Sequence, residues 1–439
     1  MRPRRLPPAA TPPAQDVTAP PPIAGVSASE LPAQLAASEH ALSTFLPERD
    51  RRGVALCLSG GGYRAALFHL GAVRRLNELG VLGRVDTITS VSGGSILAAH
   101  LAASMGADWP APGAVFADFD GRVAEPFHRF CRRNIRTKPL AIGLLPWNWG
   151  GHAAVNVLER EYFDHLTRLK LVDLPERPRF VFCATDMAYG VNWTFTRDLV
   201  GSYMAGYAPT PAAWPVAHAV AASSCFPPFF NPQPIGLSPE QLVDGLDASL
   251  HREERVRDLR LSDGGLYDNM GLEPVWKTHA VVLVSEGGST FDAGTDGGLL
   301  WRINRYIEVQ GSGGGTVRKR WLISNMVSGV LRGTYWGIGT DVADYKVEAA
   351  GYPREITKEQ IAEIRTDMDA FTEPERFILE NHGYLLAEAA IRRYVKELAL
   401  DPMPPVSAPH PYYFDTAHLD RVTDGLKESG DRKLPFGRS

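Results

Sequence analysis

Five consecutive apolar residues, Val54-Ala-Leu-Cys-Leu58, run straight into Ser59-Gly-Gly-Gly-Tyr-Arg64 and then into a segment with helical periodicity, Ala65 to Leu79, closed by Gly80. A strand that is apolar at every position has to be covered on both faces, which is the environment of a parallel sheet between two layers of helices. In the helical segment Ala66, Leu70 and Val73 share one face, as a helix packed on that sheet requires. The glycine run between strand and helix lets several backbone N–H groups converge on an anion beside the positive helix end. Two uses are open for it, a phosphate cradle and an oxyanion hole. A dinucleotide-binding fingerprint fits poorly because Ala65 stands where its last glycine usually does. A P-loop is excluded, since no Gly-Lys-Ser/Thr follows.

The second feature is Asp86-Thr-Ile-Thr-Ser-Val-Ser-Gly-Gly-Ser95, a short strand that turns into the apolar helix Ile96 to Ala103. Ser92 falls on the turn, as the serine of a G-x-S-x-G nucleophile elbow does, where only small neighbours fit between strand and helix. Gly94 occupies the second glycine position and Ser90 replaces the first. A serine nucleophile needs a base. Of the late histidines, His382, His410 and His418, none lies in a convincing strand-end loop. Asp263-Gly264-Gly265 offers a carboxylate on a tight turn with no bulky neighbour, able to take a serine proton if its surroundings raise its basicity. Asp268 and Asn269 read as braces for the segment that follows.

Three segments in this order, Gly60-Gly61-Gly62-Tyr63-Arg64, Ser90-Val91-Ser92-Gly93-Gly94 and Asp263-Gly264-Gly265, resemble the patatin-like phospholipase family. Phe180 to Asp186, Ala221 to Phe230, the run from Asp263 to Pro274 and Val281 to Gly288 extend the resemblance over about residues 53–290. It implies a three-layer α/β/α fold with a mostly parallel central sheet. It further implies a lipid acyl hydrolase of phospholipase A type in which Ser92 forms an acyl-enzyme and Asp263 is the general base. Gly60, Gly61 and Gly62 would form the oxyanion hole, with Arg64, Gly94, Gly264 and Gly265 in support. Arg64 would hold the glycine loop or meet a lipid phosphate. No metal and no cofactor are expected. The substrate is expected to be a phospholipid or another fatty acyl ester. An acyltransferase using the same acyl-enzyme, and a non-catalytic lipid-binding scaffold, are the competing functions.

Composition bounds the rest. The 439 residues are 44% hydrophobic and 22% charged, enough to bury a sizeable core. With 46 basic against 50 acidic residues the formal charge is −4, so no cationic field draws nucleic acid. Cys57, Cys131, Cys183 and Cys225 show no paired spacing, which argues for reduced thiols. With no stretch long enough to span a bilayer and no signal-peptide core, a cytoplasmic or membrane-peripheral location is expected. The oligomeric state is left open.

Residues 1–25 are proline-rich and expected to be a disordered tail, followed by a lead-in over 26–52 with a short helix from about Glu30 to Phe45. An insertion over about 105–175 carries Arg132, Arg133, Arg136 and Lys138, then Leu140 to Gly151 with Trp147 and Trp149. Tryptophans beside cations suit peripheral contact with lipid head groups, and packing on the sheet is the equal alternative. Over 291–439 a helical extension is expected, with a mobile loop at Ser312 to Gly315. A capping box at Thr372-Glu-Pro-Glu375 should open a helix through Ile378, Leu379, Leu386 and Ile391. Asp431 to Ser439 reads as a loose end.

Overall fold

A computed structural model describes residues 50–148, 151–227, 230–288 and 298–431. The proline-rich tail, the lead-in helix, Trp149 and the end beyond Asp431 lie outside these residues.

The apolar run forms strand β1, Val54–Leu58, and its residues divide between two cores. Val54, Leu56 and Leu58 face a core shared with the helices Gly62–Glu78, Gly93–Met105 and Glu373–Tyr394, while Ala55 and Cys57 face a core shared with Leu322 of the helix Leu299–Val327. Side chains alternate across a strand, so this division places helices on both faces and makes the fold three-layered α/β/α. β1 lies between β2 (Val85–Val91) and β9 (Val281–Glu286), with β3 (Arg179–Asp186) beyond β2 and β10 (Arg332–Gly337) beyond β9, all parallel. Antiparallel strands β4 (Val191–Phe195), β5 (Leu199–Ser202) and β6 (Gly206–Pro209) continue the sheet beyond β3. A short pair, β7 (Gln233–Pro234) with β8 (Arg260–Asp263), joins it through β8, which runs antiparallel to β3.

The C-terminal section is part of this architecture. It supplies the edge strand β10, and its capped helix Glu373–Tyr394 lies against the first helix. Backbones meet there, because a Cβ on Gly71 would lie 1.8 Å from the Glu380 carbonyl oxygen and one on Gly383 1.8 Å from that of Phe68. The cap is the one expected from sequence: Thr372 N–H donates to Glu375 Oε2 at 2.7 Å, and Glu375 N–H to Thr372 Oγ1 at 3.4 Å. The Arg49–Ser439 portion is accordingly one compact unit.

The expected loop at Ser312 to Gly315 is a correction. These residues lie within the continuous helix Leu299–Val327. Each glycine costs a helix about 1 kcal/mol, but packing of Leu322 and Met326 on the second core overrides that local preference.

Between the first and the C-terminal helix lies a buried charge cluster that no local pattern announces. The Glu380 carboxylate accepts from Arg74 Nε at 2.7 Å through Oε1, and Oε2 lies 2.6 Å from His128 Nε2 and 2.7 Å from His410 Nε2. Burial pushes this carboxyl up, yet Arg74 and the hydrogen bonds to His128 and His410 outweigh it and hold it well below its ordinary range. The spacing is that of hydrogen bonds. Two donors on one tetrahedral zinc ion would stand about 3.3 Å apart. The cluster serves as a bolt between four segments of chain.

Candidate active site

The site sits outside the carboxyl ends of the parallel strands, where open α/β sheets receive ligands. Strand pairing explains why Ser92 and Asp263, far apart in sequence, converge. One edge of β3 is occupied by β4 over Phe182–Asp186, so β2 and β8 must share the other. They approach each other head to head along it. Val91, the last residue of β2, is opposite Cys183, and Asp263, the last of β8, is opposite Ala184.

Ser92 precedes the helix Gly93–Met105 with φ 48° and ψ −112°. A non-glycine residue in this region is strained, and such strain is held only where the surroundings over-determine the turn. Four serines do so here. Ser92 N–H donates to Ser223 Oγ at 2.9 Å, and Ser223 Oγ donates to the Cys183 carbonyl at 2.6 Å. Ser95 Oγ lies 2.8 Å from Ser223 Oγ and donates to Ser90 Oγ at 3.1 Å. Ser90 is thus small enough for the position and also binds the frame of the turn. A Cβ on Gly94 would come within 2.2 Å of the Leu58 carbonyl oxygen, so the elbow helix crosses the end of β1 only because Gly94 has no side chain.

Asp263 is held by the two glycines after it. Gly265 N–H donates to Oδ1 at 2.8 Å and Gly264 N–H to the Ser223 carbonyl at 3.2 Å. Thr185 Oγ1 donates to the Asp263 carbonyl at 2.8 Å. Burial raises its carboxyl from an ordinary 3.8 to about 6, against the opposing pull of the Gly265 N–H and the Ser92 hydroxyl. A carboxylate of that basicity is suited to proton transfer near neutrality. Asp268 acts as the expected brace, accepting from the N–H groups of Met270, Leu272 and Glu273.

The glycine loop requires one correction. Gly60 N–H donates to the Asn269 carbonyl at 3.1 Å, so it is engaged and drops out of the candidate oxyanion donors. Gly61 and Gly62, at φ 135° and 57°, keep N–H groups without a protein acceptor among the described residues. Arg64 requires a second correction. It is 2% exposed, and its guanidinium donates to the carbonyls of Gly287, Ala362 and Ile364, which removes it from contact with a lipid phosphate. Burial lowers it to about 10, against the pull of Glu363. Its place is to anchor the loop.

Sequence reasoning missed the outer wall of this loop. Tyr63 N–H donates to the Asp367 carbonyl at 2.9 Å, and Asp367 backbone closes over Gly62, where a Cβ would meet its carbonyl oxygen at 2.5 Å. The Asp367 carboxylate is gripped by Arg136 and Arg365, each at 2.6 Å. Only the fold brings Arg136, in the insertion, and the strap 362–369, in the C-terminal section, to the glycine loop.

The family model for patatin-like phospholipase matches residues 56–276, about half of the chain. The chain belongs to the patatin-like phospholipase family. No curated protein matches the sequence significantly. Among solved structures, human GIVD cytosolic phospholipase A2 is similar at 13% identity and a TM-score of 0.36, over 62% of this chain and 50% of that one. In complex with methyl gamma-linolenyl fluorophosphonate the same human protein is similar at 14% identity and 0.42, over 79% and 59%. VipD from Legionella pneumophila is similar at 16% identity and 0.29, over 78% and 67%. The chain spans about half to three-fifths of the length of the human phospholipase.

Proposed function

We propose that the protein hydrolyses fatty acyl esters of phospholipids or related lipids through a Ser92–Asp263 dyad. The observation that carries this is the convergence, at adjacent positions of β3, of a strained serine just past the end of β2 and a buried carboxyl raised to about 6. Ser92 Oγ attacks the ester carbonyl while Asp263 takes its proton; Asp263 passes that proton to the ester oxygen as its bond to the acyl carbon breaks, the alcohol leaves, and an acyl-enzyme remains. Asp263, again a carboxylate, takes a proton from water as its oxygen attacks the acyl carbon, and returns that proton to Ser92 Oγ as the bond to the acyl group breaks and the fatty acid is released. The free N–H groups of Gly61 and Gly62 stabilise the tetrahedral oxyanion, a contribution of roughly 3–4 kcal/mol per donor in comparable sites. The ester would reach the site from a lipid surface at the periphery of the protein.

The test is covalent labelling of the full-length protein with a fluorophosphonate, located by mass spectrometry. Label on Ser92, lost in Ser92→Ala together with esterase activity, is the expected result. Ser92→Ala activity within about tenfold of the parent, a barrier change of only ~1.4 kcal/mol, would remove Ser92 as nucleophile. The same acyl-enzyme serves acyl transfer, and product analysis with and without an alcohol acceptor separates transfer from hydrolysis.

A further inference from the structure

We propose that the face built from Arg132, Arg133, Leu144, Leu145, Trp147 and Phe226 is a docking surface for an anionic lipid bilayer, placed beside the Ser92–Asp263 site. The proposal rests on the hydrolase reading, which makes a lipid surface the source of substrate.

The face is apolar where a soluble surface would normally be polar. Trp147 is 77% exposed, Leu144 69%, and Leu145 and Phe226 36% each, so the alternative of a loop packed on the sheet does not hold for Trp147. The tryptophan is presented by a closed turn. Asn148 N–H donates to the Leu145 carbonyl at 2.8 Å and Asn148 Nδ2 to the Ile142 carbonyl at 2.8 Å. A rigid turn carrying an aromatic at its tip loses little conformational entropy on insertion, and tryptophan settles at the depth of the head groups.

Charge selects the partner. Of the four cations in the segment, Arg136 is buried on Asp367 and Asp369, and Lys138 is paired with Glu161 at 2.6 Å. Arg132 and Arg133 are exposed and have no carboxylate partner among the described residues. Two unneutralised arginines beside exposed leucine and tryptophan complement an anionic, apolar-cored surface.

Both ends of the segment are tied beside the dyad. On one side the Arg133 carbonyl accepts from Tyr63 Oη at 3.3 Å, next to Gly62, and Ile135 N–H donates to the Met368 carbonyl at 3.1 Å. On the other side, Gly143 lies against Ala154 and Asn231, at the end of the stretch whose Ser223 and Cys225 carbonyls accept from the N–H groups of Gly264 and Asp263. A bilayer resting on this face would lie beside the glycine loop and the 223–231 stretch that frame the dyad. No helix among the described residues is long and apolar enough to cross a membrane, so attachment through this face would be from one side.

The test is sedimentation of the full-length Ser92→Ala protein, which leaves the lipid intact, with vesicles of phosphatidylcholine alone or mixed with phosphatidylserine. Binding to the mixed vesicles, weakening as salt is raised, is expected. Trp147→Ala should weaken it about tenfold, and Arg132→Gln with Arg133→Gln about fivefold per arginine. Circular-dichroism melting of these surface variants should match the parent. Equal binding to both vesicle types, or binding unchanged in both variants, overturns the proposal. So does a Trp147→Ala protein that loses self-association in sedimentation velocity while keeping its vesicle affinity, since the face would then join two copies of the chain. Vesicle binding is read without turnover, so a failure of Ser92 to take the fluorophosphonate label would count against the dyad and leave this result standing.

Discussion

Asp263→Asn exchanges a titrating carboxyl for an amide of the same shape, and two opposite consequences follow. As the proton acceptor is lost, ester hydrolysis should fall by about 10²–10⁴. Stability at alkaline pH should rise. Burial lifts the carboxyl from 3.8 to about 6, so keeping it ionised in the folded protein costs about 3 kcal/mol. The sign follows from proton binding. Between about pH 4 and 6 the folded protein holds this proton and the unfolded chain has released it, so the parent loses stability as pH rises through that window. Asparagine does not titrate and carries no such penalty. It keeps the Gly265 N–H bond through its carbonyl oxygen, and losing the interaction with Ser92 returns about 1 kcal/mol. A net gain of about 2 kcal/mol remains above pH 7. With an unfolding entropy of roughly 0.8 kcal/mol per kelvin for about 390 residues, Tm should rise by about 2–3 °C at pH 8. The difference should shrink to zero or below near pH 4. Scanning calorimetry of parent and variant from pH 4 to 8 reads this directly. A variant no more stable than the parent at pH 8, with a difference that does not change with pH, would refute the argument that Asp263 is held at raised basicity by burial. The same basicity sets an acid limb near pH 6 in the parent's kcat/KM.

Two further outcomes test the frame around the dyad. Gly94→Ala forces a methyl group to within 2.2 Å of the Leu58 carbonyl oxygen and should cost about 1–3 kcal/mol or more, lowering both soluble yield and Tm; an unchanged melting curve would contradict the close crossing. Arg136→Met frees one side of Asp367, whose carbonyl holds Tyr63 N–H, and should lower kcat on a short soluble ester by about tenfold with KM little changed. Arg136→Lys should restore part of that loss. Parent-like kcat in Arg136→Met would remove the strap as a positioning element.

The legible parts of this protein are those in which a local pattern has a single physical solution. An unbroken apolar pentapeptide before a glycine run suits a strand covered on both faces, and β1 has the bounds Val54–Leu58 that the pattern predicts. Thr372 followed by Glu375 announces its own capping box, because both partners lie within one turn. The helix through Gly311–Gly315 was illegible for the opposite reason. Its stability comes from Leu322 and Met326 meeting residues of distant strands, and intrinsic propensity points the other way.

The candidate site divides along the same line. Ser92, Asp263 and the glycine run are visible in the sequence because each sits on a turn that few residue types can make. Local turn chemistry offered a serine, a carboxylate and a row of N–H groups at strand ends, and the resemblance of the three segments taken together to the patatin-like family singled them out. What those groups can do was decided only by tertiary structure. Asp263 is basic because β3 carries β2 and β8 on one edge and buries the carboxyl where they meet. Gly60 is excluded as a donor because Asn269, more than two hundred residues later, takes its N–H. Arg64 is an anchor because the strap 362–369 folds back over it. Hydrogen-bond partners and burial are properties of non-local contacts, and pKa follows from them. A turn can be read from neighbouring residues, whereas its electrostatics depend on which remote segments close around it.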